Sequence, residues 1–116
     1  MKLALTATAP KFDAPFERRF GRCAYFIVVD TETREWQALP NPATEARGGA
    51  GTQAAQFIAN QGVTAVVSGR FGPNAYAALN AAGLQMYTAG QGSVDALFEE
   101  YLAGKLKSAG DAASSA

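Results

Sequence analysis

Short apolar runs alternate with polar, glycine-broken stretches along the chain, and the periodicity of each run assigns its element. Leu3-Ala4-Leu5-Thr6-Ala7 reads as a short first strand. Ala24-Tyr25-Phe26-Ile27-Val28-Val29-Asp30 is aromatic or β-branched almost throughout and is the strongest strand. Thr31-Glu32-Thr33-Arg34 fits a hairpin turn, and Glu35-Trp36-Gln37-Ala38-Leu39 then alternates as a half-exposed edge strand does. Val63-Thr64-Ala65-Val66-Val67 has the composition of a strand buried on both faces. Leu84-Gln85-Met86-Tyr87-Thr88 is a short last strand.

Three helices fall between and after these strands. The spacing predicts one over residues 52–61, with Ala54, Phe57, Ile58 and Gln61 on one face, Thr52 capping its start and Gly62 closing its end. A second runs over residues 73–82, from Pro73 to a stop at Gly83. The third follows Ser93 as its cap, with Val94, Leu97, Phe98, Tyr101 and Leu102 at i, i+3, i+4, i+7 and i+8. Residues 10–20, broken by Pro10 and Pro15, and residues 41–51 read as loops. The stretch 107–116 is small and polar, and disorder is expected there.

This order predicts an α/β fold: a single mixed five-stranded sheet with three helices. The hairpin must pair antiparallel, whereas the later strands need helical crossovers and pair parallel. The hairpin then lies on one side of the first strand and the two later strands on the other. The arrangement resembles the ribonuclease H-like architecture, which by itself does not give a chemistry. Residues 1–104 are expected to form one domain and residues 105–116 a flexible C-terminal tail.

Bulk properties narrow the function. The chain has 116 residues, 48% of them hydrophobic, which suits one globular domain and excludes a disordered one. Its 10 basic residues balance 10 acidic ones, so the surplus of cations that phosphate neutralisation needs is missing and no nucleic-acid partner is expected. No apolar run approaches the roughly 20 residues of a membrane span. Lys2–Ala9 is too short and too polar in its flanks for a signal peptide, so a cytoplasmic location is expected. Cys23 is the only cysteine, which rules out an internal disulfide. Histidine is absent, which excludes Ser-His-Asp and Cys-His catalysis and His-ligated zinc within this chain.

The candidate chemistry lies in loops. Gly69-Arg70-Phe71-Gly72-Pro73 joins the central strand to a helix, the place where α/β proteins bind ligands. Arg19-Phe20-Gly21-Arg22-Cys23-Ala24-Tyr25 matches Arg70-Phe71-Gly72-Pro73-Asn74-Ala75-Tyr76 at five of seven positions. One copy enters a strand and the other a helix, so chance or convergent loop chemistry explains the match better than a duplicated unit. Arg18, Arg19, Arg22, Arg47 and Arg70 all fall in loops near strand ends.

Gly48-Gly49-Ala50-Gly51 precedes a helix, where exposed amides and the helix dipole favour an anion. The stretch is neither a Walker A loop nor a dinucleotide fingerprint. Two readings remain open: a pocket for an anionic ligand held by arginines and amides, or ordinary turn glycines with solvated arginines. Cys23 has two as well. Beside Arg22 its thiolate is favoured and could bind a soft metal; otherwise it is a small buried hydrophobe. One thiolate cannot close a four-ligand site, so a metal would arrive as a preassembled cluster or be shared between chains. Asp13, Asp30 and Asp95 are too scattered for two-metal nuclease chemistry.

Arg19-Phe20-Gly21-Arg22-Cys23-Ala24-Tyr25-Phe26 followed by Val67-Ser68-Gly69-Arg70-Phe71-Gly72-Pro73-Asn74-Ala75 resembles the dinitrogenase iron–molybdenum cofactor biosynthesis family. The resemblance spans about Lys2 to Leu102 and includes the Gly48–Gly51 stretch. It implies a ribonuclease H-like α/β fold and a carrier rather than an enzyme. The implied cargo is an iron-, molybdenum- or copper-containing sulfide cluster, including precursors of the nitrogenase cofactor. The resemblance also implies a cofactor-assembly protein as partner and a role in nitrogen fixation. The candidate binding residues are Arg19, Phe20, Gly21, Arg22, Cys23, Gly48, Gly49, Gly51, Gly69, Arg70, Phe71 and Gly72, with Cys23, by its place beside Arg22, the candidate metal ligand. Many members carry a histidine where this chain has Arg19. That departure leaves three readings: a different anion, weaker binding, or reliance on Cys23 and arginine. A small-anion or nucleotide-binding regulatory domain of the same fold is the alternative function.

Overall fold

A computed structural model describes residues 1–109. Strands β1 (Lys2–Ala7), β2 (Tyr25–Asp30) and β3 (Trp36–Pro40) come first. Helix α1 (Ala50–Ala59), strand β4 (Ala65–Ser68), helix α2 (Pro73–Ala81), strand β5 (Gln85–Thr88), helix α3 (Val94–Leu102) and strand β6 (Lys107–Ser108) follow. They build one mixed sheet in the order β3-β2-β1-β4-β5-β6. β1 pairs parallel with β4, and β4 with β5, whereas β2, β3 and β6 join antiparallel. The hairpin and the later strands therefore flank β1 as the pattern predicts.

The sheet has six strands rather than five. Lys107 and Ser108 pair with Thr88 and Tyr87, and Ala109 is buried behind them. A two-residue polar strand has no periodicity to detect; it forms because β5 would otherwise present an open edge. The predicted tail therefore begins as structure, and its remainder, residues 110–116, lies outside the described residues.

Both faces of the sheet are covered, which is why β1, β2 and β4 read as continuous apolar runs. Ala4, Phe26, Val28 and Val66 face α1 and α2 through Ala54, Ile58, Ala75 and Leu79. Leu3, Leu5, Ile27 and Val67 face α3 through Val94, Leu97 and Phe98, helped by Ala14 and Phe16 from the loop after β1. Arg34 of the hairpin turn reaches over the Phe98 ring and pairs with Glu99 at 2.6 Å, tying the hairpin to α3.

The caps differ from expectation. α1 starts at Ala50, and its N-cap is Gly49 in the left-handed region at φ 70°, with no side-chain cap. Thr52 therefore lies inside the helix. α2 likewise follows Gly72 at φ 74° without a side-chain cap and has Pro73 in its first turn. The carboxyl ends of β1 and β4 and the starts of α1 and α2 thus meet at one pole of the molecule.

Candidate functional site

That pole holds a cleft of about 360 Å³. The loop before β2 contributes Arg19, Phe20, Gly21 and Arg22, the start of α1 contributes Gly49 and Gly51, and the turn after β4 contributes Arg70, Phe71 and Gly72. Nine of the twelve residues expected to bind ligand are therefore brought together. Ala50, Pro73, Asn74 and Ala75 complete the lining, so both uncapped helix starts open into the cleft. No acidic residue lines it, and three arginines do. A neighbouring compartment of about 470 Å³ shares Arg19 and Arg70 and adds Phe16, Glu17, Arg18 and Gly69.

The two Arg-Phe-Gly segments lie side by side. Arg19 and Arg70 form a parallel β-bridge, and the Phe20 and Phe71 rings stand 5.4 Å apart. Phe20, a 3-10 turn residue, is buried against Phe26 at 5.5 Å and anchors the loop on the sheet. The sequence match is thus also a spatial pairing, although one copy leads to a strand and the other to a helix.

Two of these glycines also allow separate backbones to approach closely. A Cβ on Gly69 would lie 2.8 Å from the Arg18 carbonyl oxygen, and one on Gly21 would lie 3.0 Å from the Gly51 nitrogen. Backbones of three separate segments meet at distances that leave a side chain little room at Gly21 and none at Gly69. Gly69 borders the second compartment, and Gly48 borders neither, with open space around its Cα.

Cys23 does not behave as the neighbouring Arg22 suggests. It is fully buried, and burial together with the charge of Glu17 pushes its pKa up from 9.0 to about 12. The Asn41 amide at 3.7 Å from Sγ only partly offsets this. The Arg22 guanidinium turns away, to the Ala46 carbonyl oxygen at 3.3 Å. Of the two readings of Cys23, the buried one matches this structure: the thiol lies in the core outside the cleft lining, where desolvation disfavours its thiolate. Among the described residues no three His, Cys, Asp or Glu side chains gather to hold a metal ion.

Sequence reasoning missed the supports. Buried Asn41 donates to the carbonyl oxygens of Gly21 (3.3 Å) and Cys23 (2.9 Å) and accepts from the Ala43 amide (2.9 Å). It locks the loop before β2 to the loop before α1. Thr6 donates its hydroxyl to the Glu17 carbonyl oxygen, and Ser68 donates to that of Arg18 at 3.4 Å. A polar residue at the end of each central strand was the available signal: a lone Thr or Ser in an apolar run needs a partner when buried.

These features define a small α/β protein with a cationic cleft at the carboxyl end of its sheet. The chain belongs to the dinitrogenase iron-molybdenum cofactor family, which it matches over residues 1–104. It is 34% identical over 110 residues to an uncharacterised protein of Methanocaldococcus jannaschii, covering 92% of this chain and 90% of that one. Its structure resembles the apo form of the orange protein from Desulfovibrio gigas, with TM-score 0.89, 33% identity and coverage of 92% and 91%. It also resembles a NifB-like protein from Thermotoga, with TM-score 0.82, 26% identity and coverage of 93% and 92%. Family and neighbours together indicate a cofactor-binding or carrier role.

Proposed function

We propose that this protein is a non-enzymatic carrier for an anionic metal–sulfur cluster or iron–molybdenum cofactor precursor, held in the cleft between Arg19, Arg22 and Arg70. The observation that carries the reading is the lining itself: three arginines and two uncapped helix starts meet there, and no acidic residue lines the cleft. Sulfide clusters are anions, so charge and amide hydrogen bonds hold one without a covalent ligand. A cargo held this way can also be handed on, to a cofactor-assembly protein. Arg19, in the position where many members have histidine, contributes charge rather than an imidazole ligand. The ribonuclease H-like description of the fold belongs to this same reading.

Anaerobic incubation with iron, molybdate, copper and sulfide, then desalting and metal analysis, tests the proposal. Stoichiometric metal with sulfide supports it; a metal-free protein refutes it. The uncapped helix starts also suit phosphate, which favours a small-anion or nucleotide-binding regulatory domain as the alternative. A rise in melting temperature with phosphate-bearing ligands, without cluster uptake, would select that reading.

A further inference from the structure

We propose that Glu17 sets the affinity of the cleft: its carboxylate serves as an internal counter-anion for Arg19 that an incoming anion must displace. The inference rests on the cleft being an anion site, whichever anion it takes.

Glu17 is the one acidic residue lining either compartment, and it lines only the one behind the cleft. Arg19 borders both. The carboxylate accepts from Arg19 three times, at the amide (3.0 Å), at Nε (3.4 Å) and at Nη2 (3.3 Å). The two side-chain contacts are long for a charge-assisted pair, whose usual range is about 2.7–2.9 Å. The pair is thus made but loose.

Its two halves are mounted differently. The Glu17 side chain is 19% exposed and the Arg19 side chain 68%. The backbone of Glu17 is fixed on β1, where its amide donates to the Thr6 carbonyl oxygen at 3.1 Å and its carbonyl accepts the Thr6 hydroxyl. Glu17 is therefore a fixed anchor, and Arg19 an arm free to turn into the cleft. Arg70, the counterpart of Arg19 in the paired segment, has no ion-pair partner among the described residues. One arginine of the pair is neutralised and the other is not. That asymmetry lowers the resting affinity for anions, which a carrier that must release its cargo requires.

The test is calorimetric binding of sulfate, phosphate and tetrathiomolybdate to the full chain at neutral pH. Glu17→Gln should tighten binding about 3- to 10-fold, the worth of one nearby surface charge. Arg19→Gln should weaken it, and the double variant should show no gain over Arg19→Gln alone. A gain of affinity cannot arise from misfolding, so a merely structural role for Glu17 would not produce it. No gain with any of the three anions overturns the inference, and so does a gain that persists without Arg19. If the wild type takes up no cluster but Glu17→Gln still gains affinity for sulfate, the carrier reading falls and the role of Glu17 stands.

Discussion

The amide of Phe20 donates to the carbonyl oxygen of Arg70 at 3.0 Å, so two segments fifty positions apart in the chain are stitched at the point where each presents its arginine. The amide of Arg70 donates in turn to the Arg18 carbonyl oxygen at 2.7 Å. The cleft is the product of this stitch, and its integrity depends on how closely the backbones approach.

Gly69 sets that approach. An added Cβ would stand 2.8 Å from the Arg18 oxygen and 2.9 Å from its Cα, and backbone cannot yield as a side chain can. Gly69→Ala should cost about 1–3 kcal/mol in denaturant unfolding, the usual range for overpacking. It should also weaken anion binding. Gly48→Ala, with nothing within 4 Å of the new atom, should unfold like the wild type. Equal midpoints for the two variants would contradict the close-packing account.

Asn41 makes the second clamp. Asn41→Ala leaves the Ala43 amide and the carbonyl oxygens of Gly21 and Cys23 without their side-chain partner. Each buried polar group left unpaired costs about 1–3 kcal/mol, so a loss of at least that size is expected in chemical denaturation. A change within the scatter of surface substitutions would mean that the clamp is dispensable.

Cys23 gives the pH dependence. Its folded pKa is raised from 9.0 to about 12, so the native state keeps a proton that the unfolded chain releases. The stabilisation is complete below pH 9 and is lost as pH rises toward about 12, at up to about 1.4 kcal/mol per pH unit. Tyr101, also raised by burial, adds to the fall in the alkaline range. Cys23→Ala should flatten the Cys23 share of that slope, read from unfolding curves between pH 8 and 11. Native alkylation by iodoacetamide at pH 8 should be far slower than in denaturant, because the thiol is buried and its pKa raised. Rapid native labelling would refute the burial argument.

Most of the fold was legible because it is built from runs of one period. β1, β2 and β4 are apolar on both faces, and α3 carries a clean amphipathic stripe. β6 was not legible: two polar residues acquire strand geometry only from the edge they cover. The site was legible as chemistry, since arginines, glycines and aromatics recur in two loops, but not as assembly. That Gly21, Gly51 and Gly69 bring separate backbones into close approach depends on which segments meet, a tertiary fact. The two readings of the thiol could not be separated for the same reason: sequence places Arg22 beside Cys23, while folding buries one and exposes the other. Asn41 and Glu17 lie in ordinary loop sequence and acquire their roles only from the neighbours that folding sets beside them.

The central claim is that charge, not the thiol, holds an anionic cluster. Its most direct test is anaerobic uptake of metal and sulfide by the wild type, Cys23→Ala and Arg70→Gln, followed by desalting, metal analysis and absorption spectra. The expected result is a stoichiometric coloured complex in the wild type, retained in Cys23→Ala and weakened about 3- to 10-fold in Arg70→Gln. A complex lost in a folded Cys23→Ala and unaffected by Arg70→Gln would contradict it.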